Sequence, residues 1–344
     1  MSKLILCLDG GGIRGAATTQ FLMQVDQLLG EKYQKSLRDC VDFYAGNSTG
    51  SIIALALANT NMPMQDINEL YNEETAKQIF TENRGLLEID GVNAPKYEAS
   101  GKTNTLKSKL GEAKLGDVKE GKHILAITYG VEKRKPFILK STKDYYRDIP
   151  SYQVADASSA APTYFPTVEA YFPYDEENYW LVDGGVVANN PTMCAIAEAR
   201  REWPTVSMDE LRVLSIGTGT VTRKINGPES RKWGAVQWML KGNMIDLLSD
   251  EKVVAYQAIT ITRPGNYIRV NAEMRSQPGL PNPPDDAMDD ISQSNINRLK
   301  DLGAFWFSQY GEATVELLNN SYAGPSLDRI DPNTGTPVIY NPTT

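Results

Sequence analysis

The stretch Gly46-Asn47-Ser48-Thr49-Gly50 places a serine between glycines two residues away on either side, the G-x-S-x-G spacing of a nucleophile elbow. A serine between a strand's end and a helix's start must turn sharply, and the glycines leave room for that turn. Its hydroxyl then projects beside the positive end of the helix dipole, as acyl transfer requires. A second stretch, Asp9-Gly10-Gly11-Gly12-Ile13-Arg14-Gly15, offers bare backbone. Residues 10–15 match the dinucleotide fingerprint G-x-G-x-x-G, and a strand before and a helix after suit that use. A dinucleotide site also wants an acidic residue at the end of the next strand. That strand ends instead in the serine motif, and Asp39 and Asp42 precede its apolar part. The other use of the glycines is an oxyanion hole: Gly10, Gly11 and Gly12 present N–H groups and Arg14 adds a charge, all facing the anion that Ser48 would create.

Ser48 needs a base, and the chain has a single histidine, His123, at the start of an expected strand after Gly121-Lys122. Asp183 is the better candidate, since it follows Leu181-Val182 and precedes Gly184-Gly185 at a strand's end. An exposed carboxylate, pKa about 3.9, is a poor base at neutral pH, but apolar surroundings raise that value. A Ser–Asp dyad in a dry site would dispense with histidine.

These residues must be carried by strands and helices in alternation. Leu4–Leu8 reads as a strand buried on both faces, and Phe21, Leu22, Val25, Leu28 and Leu29 follow helical spacing from near Arg14 to Gly30. Val41–Ala45 reads as a second strand, and Ile52–Leu57 lies in a compact helix after the serine. Further strands are expected at His123–Val131, Pro136–Lys140, Trp180–Val182 and Arg212–Ile216, with a helix over Thr192–Arg201. This is an α/β pattern: a parallel sheet with helices on its faces. Residues 83–121 read as a polar excursion or lid, residues 274–284 as a Pro-rich loop, and the residues from about Tyr322 as a surface tail. Trp233, Trp238 and Met239 could line an acyl channel, although core packing is the commoner use of such residues.

Composition narrows the partners. The chain has 344 residues, 41% hydrophobic and 23% charged, with net charge −8 and pI near 5.0. Acidity argues against nucleic acid as a partner and against a broad electrostatic grip on anionic membrane; a local patch could still touch lipid transiently. Cys7, Cys40 and Cys194 are odd in number and far apart, which fits neither a disulfide framework nor a zinc site. The run Leu4–Leu8 is too short for a signal peptide's core, and no run of about 18 apolar residues occurs. A cytoplasmic protein, peripheral to membranes at most, is expected. Its oligomeric state is not legible.

Taken together, the motifs resemble those of the patatin-like phospholipases. The family has a D-G-G-G-x-[RK]-G loop, here Asp9–Gly15, a G-x-S-x-G serine, here Ser48, and a D-G-[GA] aspartate, here Asp183. Ala157–Pro166 (ASSAAPTYFP), Ser215–Thr220, Lys232-Trp233-Gly234, Met288-Asp289-Asp290, Pro95-Lys96-Tyr97 and Lys109–Glu112 match as well. The resemblance covers roughly residues 3 to 310; Asn47, where the family takes small residues, is a mild departure, and the segment beyond about Gly311 has no match. It implies a mostly parallel central sheet flanked by helices, an acyl hydrolase domain over residues 1–315 and a C-terminal extension over 316–344. It implies catalysis by Ser48 and Asp183 through an acyl-enzyme, an oxyanion hole at the glycine loop, and no metal or organic cofactor. Implied substrates are phospholipids, lysolipids, galactolipids and other fatty acyl esters of membranes. Two other functions fit the residues: a storage or interaction protein with minor esterase activity, and a nucleotide-binding oxidoreductase built on GGGIRG.

Overall fold

The structure, a computed structural model, describes residues 2–83, 94–222, 224–234, 237–238 and 250–340. Its centre is one mixed sheet of ten strands, mostly parallel, flanked by helices on both faces. The strands are β1 Lys3–Leu8, β2 Phe43–Asn47, β3 His123–Gly130, β4 Lys135–Lys140, β5 Val168–Phe172, β6 Glu177–Asp183, β7 Leu211–Ile216, β8 Tyr267–Val270, β9 Leu327–Asp331 and β10 Thr336–Ile339. Their order is β10-β9-β8-β7-β1-β2-β3-β6-β5, with β4 paired to β3.

The continuous apolar runs are explained by burial from both sides. On β1, Leu4, Leu6 and Leu8 enter one core while Ile5 and Cys7 enter the other. The helices Gly15–Tyr33 and Gln293–Leu318 pack together on the first face. On the second face lie the helices Thr192–Glu202 and Lys252–Ile261. No helix among the described residues is long and apolar enough to cross a membrane.

β3 sets the position of the site. Its edge opposite β4 is shared by two strands that approach from opposite directions. Parallel β2 pairs along it as far as Asn47 opposite Ile127, and antiparallel β6 begins its pairing with Asp183 opposite Thr128. The carboxyl ends of β2 and β6 therefore meet at adjacent rungs of one strand. His123 sits at the other end of β3, opposite Phe43. Four rungs separate it from Ile127, roughly 13 Å at strand spacing.

Two expectations change. Part of the stretch read as a polar excursion forms the helix Ala99–Leu110; its lysines made it look like solvent-facing loop, yet Lys102, Leu106 and Leu110 are buried. Residues 84–93 of that stretch lie outside the described residues. The segment read as a surface tail supplies β9 and β10, with β9 paired in parallel to β8. Its Pro, Asn, Thr and Gly are turn chemistry between the two strands, and Gly335 has φ 71°.

Candidate active site

Ser48 follows the buried strand β2 and opens the helix Thr49–Asn59. Its backbone sits at φ 51° and ψ −125°, a conformation that costs an L residue roughly 1–3 kcal/mol. The surroundings hold it there. The Ser48 N–H donates to Ser158 Oγ at 3.0 Å, and the Ser48 carbonyl accepts from Ser51 Oγ at 2.6 Å. Gly50 is required by proximity, because a Cβ there would land on the backbone of Leu8 and Asp9. The elbow is thus pressed against the end of β1, beside the glycine loop.

Asp183 ends β6 and is 5% exposed; Ser48 is 8% exposed. The Ser48 side chain lies beside the Asp183 carboxylate, close enough to favour its ionised form. Asp183 Oδ1 accepts from the Gly185 N–H at 2.7 Å and from Asn47 Nδ2 at 3.4 Å. Burial raises the proton affinity of Asp183 above the usual carboxylate range; the nearby Ser48 hydroxyl, the bond from Gly185, the charge of Lys102 and the bond from Asn47 pull it back.

In the glycine loop the donors are aimed by peptide planarity. In a trans peptide the carbonyl and the following N–H point to opposite sides. Gly10 O accepts from Thr218 Oγ1 at 2.8 Å and from Asn189 Nδ2 at 3.5 Å, which turns the Gly11 N–H away from them. Gly11 O accepts from Arg14 N and Arg14 Nε, each at 3.2 Å, which turns the Gly12 N–H the other way. Gly12 has φ 58°, and a Cβ there would strike Met288. Among the described residues, the N–H groups of Gly11 and Gly12 have no backbone acceptor, whereas the Gly10 N–H donates to Asn189 O at 3.2 Å. Asp9, at the loop's start, is held in a buried double contact by Arg269, which also reaches Glu251.

One apolar cleft takes in Ser48, Asp183, Gly11 and Gly12 along its wall. Ile52, Leu70, Ile79, Phe80, Leu106, Leu110 and Phe165 extend it, and the exposed Val186 stands among the residues that line it. Ser48, Asp183, Gly11 and Gly12 are therefore brought together. Arg14 is not in the lining, and it acts on the loop through Gly11 O. His123 packs near Phe43 and Trp203, half-buried, with its proton affinity lowered by burial. Trp233 and Trp238 pack edge to face at 5.3 Å and do not line the cleft; Met239 lies outside the described residues. Sequence reasoning gave no role to Asn47, Lys102, Ser158, Asn189 or Thr218. Ser158 and Thr218 stand in the runs Ala157–Pro166 and Ser215–Thr220 that carry the family resemblance; Lys102 and Asn189 stand in none of the quoted motifs and give no signal.

Comparison with known proteins agrees with these motifs. The family described as Patatin-like phospholipase matches residues 6–196. "Patatin-like protein 2" of Oryza sativa subsp. indica is 27% identical over 87% of this chain and 82% of its own length. "Patatin-like protein 2" of Arabidopsis thaliana is 30% identical over 77% of this chain and 74% of its own. Among solved structures, VipD from Legionella pneumophila aligns at TM-score 0.44 and 14% identity, covering 93% of this chain and 67% of that one; so loose a likeness carries no weight.

Proposed function

The chain belongs to the patatin-like phospholipase family, and from that premise we propose that it hydrolyses fatty acyl esters of membrane lipids or lysolipids through a Ser48–Asp183 dyad and an acyl-enzyme. Membership supports lipid acyl hydrolysis in general. The dyad and the class of ester rest on the site, and the observation that carries them is one apolar cleft wall holding Ser48, Asp183, Gly11 and Gly12.

The steps follow from those groups. A fatty acyl chain lies along Ile52, Phe80, Leu106 and Leu110, leaving its ester carbonyl at Ser48. Ser48 Oγ attacks that carbon as its proton passes to Asp183. The carbonyl electron pair moves to oxygen, and the N–H groups of Gly11 and Gly12 hold the charge. Donors fixed before the reaction act most strongly where water is excluded. As the oxyanion collapses, the ester C–O bond breaks and the leaving alkoxide takes the proton from Asp183. Water then attacks acyl-Ser48, gives a proton to Asp183, and Ser48 leaves with that proton. A fatty acid is released and the site returns to its starting state.

Purified protein assayed on p-nitrophenyl acyl esters and on a lysophospholipid tests the reading. Ser48→Ala and Asp183→Asn should each lose at least about a thousandfold in kcat with folding intact, as expected when one member of a catalytic unit is removed. Ser48→Ala turning over at the wild-type rate would sink it.

A further inference from the structure

Two residues of the ASSAAP run touch the two halves of the proposed dyad, and the residue between them touches a buried lysine. Ser158 Oγ accepts from the Ser48 N–H at 3.0 Å and donates to Ile127 O at 2.6 Å. Ala160 O accepts from the Asp183 N–H at 2.9 Å. Between them, Ser159 Oγ accepts from Lys102 Nζ at 3.3 Å. Lys102 also donates to Asp156 O at 2.9 Å and lies 3.0 Å from Asp156 Oδ1. Its ammonium thus sits at the C-terminal end of the helix Ser151–Ser158, where a positive charge is favoured. The other oxygen of Asp156 accepts from Thr103 Oγ1 at 2.6 Å.

Lys102 is 2% exposed and lines the same cleft as Ser48 and Asp183. Lysine is almost never so deeply buried without a partner, and Asp156 is that partner. Stability alone does not account for the pair, because well-packed apolar residues usually serve as well or better in its place. What apolar residues could not supply is a charge on the cleft wall.

We infer that Lys102 is a positioning residue of the hydrolytic site: its ammonium holds the Ser158–Ala160 segment, and with it Ser48 and Asp183, in register, while setting a positive charge against the base. The inference rests on the Ser48–Asp183 reading. The charged groups that bear on Asp183 are Lys102 and, through it, Asp156; Ser48, Asn47 and the Gly185 N–H are neutral donors. The field of Lys102 favours the ionised carboxylate and so opposes the effect of burial.

The test is the pH dependence of kcat/KM for p-nitrophenyl ester hydrolysis by the full chain, wild type beside Lys102→Met, Lys102→Arg and Asp156→Asn. Removing the cation makes Asp183 easier to protonate, so in Lys102→Met the acid limb moves to higher pH and the plateau kcat drops several-fold with KM little changed. In Asp156→Asn the ammonium loses the carboxylate that keeps it charged in its buried site, so it sheds its proton more readily and the limb moves up as in Lys102→Met. Lys102→Arg keeps a charge that cannot be discharged and leaves the limb in place, and the double variant Lys102→Arg/Asp156→Asn, a permanent cation with no carboxylate partner, moves it to lower pH. That split is the signature, since general loosening would not depend on whether the cation can lose its proton. An unmoved limb in Lys102→Met, or a double variant whose limb moves up with that of Asp156→Asn, overturns the inference. If Lys102→Met does not fold, a double variant whose limb stays put or moves upward overturns it. Hydrolysis surviving Ser48→Ala in the same assay removes the dyad reading itself, whereas its loss in Ser48→Ala with unmoved limbs removes only the role of Lys102.

Discussion

At the scale of single residues, the site depends on groups pinned from behind. Ser48 keeps a φ of 51° because Ser158 and Ser51 hold its peptide groups. Asp183 keeps its rotamer because Oδ1 takes the Gly185 N–H at 2.7 Å. Thr218 reaches the reaction only through Gly10 O, yet that bond aims the Gly11 N–H. Thr218→Val should therefore lower kcat roughly ten- to a hundredfold, less than deleting an oxyanion donor outright, because the donor is misaimed and not lost. KM should change little, and Thr218→Ser should restore most of the rate; an unchanged kcat in Thr218→Val would remove Gly11 from the oxyanion hole. The base sets the pH dependence. In the proposed dyad Asp183 must be ionised to accept the serine proton, and burial places its titration above the ordinary carboxylate range. Activity should therefore rise with pH along an acid limb that Asp183 governs. A profile flat down to the pH where exposed carboxylates titrate would contradict that role.

At the scale of elements, β3 acts as a ruler. Residues 47 and 183 are far apart in sequence, and adjacent rungs of one strand bring them together. The glycine loop follows β1, the next strand over, so the Gly11 and Gly12 N–H groups proposed as oxyanion donors lie across the elbow from Asp183. The helix Ala99–Leu110 closes the cleft with Leu106 and Leu110. Filling that wall should shorten the acyl chain the enzyme accepts. Leu106→Trp is expected to lower kcat/KM for long-chain esters relative to short ones by about ten- to a hundredfold, the usual range for methylene-scale changes in an apolar pocket. Equal losses at every chain length would show that the acyl group lies elsewhere.

At the scale of the whole molecule, a buried ionic bridge ties the sheet to the loop. Arg269 on β8 is fully buried and joins Asp9, at the end of β1, to Glu251, just before the helix Lys252–Ile261. Arg269→Met leaves Asp9 buried without its ion pair, while Glu251 keeps Arg329, at a cost of about 3–5 kcal/mol. Its thermal midpoint should drop by several degrees and kcat should fall with it, since Asp9 begins the loop; an unchanged midpoint would mean that the carboxylate finds water. Much of this architecture was legible in the sequence. The strand–turn–helix around Ser48, the glycine loop and the end of β6 are local signals, each with a backbone requirement visible in a few residues. The positioning partners were not, because Ser158, Asn189, Thr218 and Lys102 act through bonds to distant backbone. The helix Ala99–Leu110 was obscured because lysine reads as solvated, and one of its lysines is instead buried. The strands β9 and β10 were obscured because their turn, rich in Pro, Asn, Thr and Gly, reads as loop when pairing cannot be seen.

The central claim, a covalent ester on Ser48, is tested most directly by acid-quenching the enzyme during turnover of a p-nitrophenyl acyl ester and measuring the mass of the peptide that carries residue 48. The account predicts a population of that peptide heavier by one acyl group, absent from Ser48→Ala and from enzyme without substrate. Full turnover with that peptide unmodified, and an acyl group found on another residue, would contradict it.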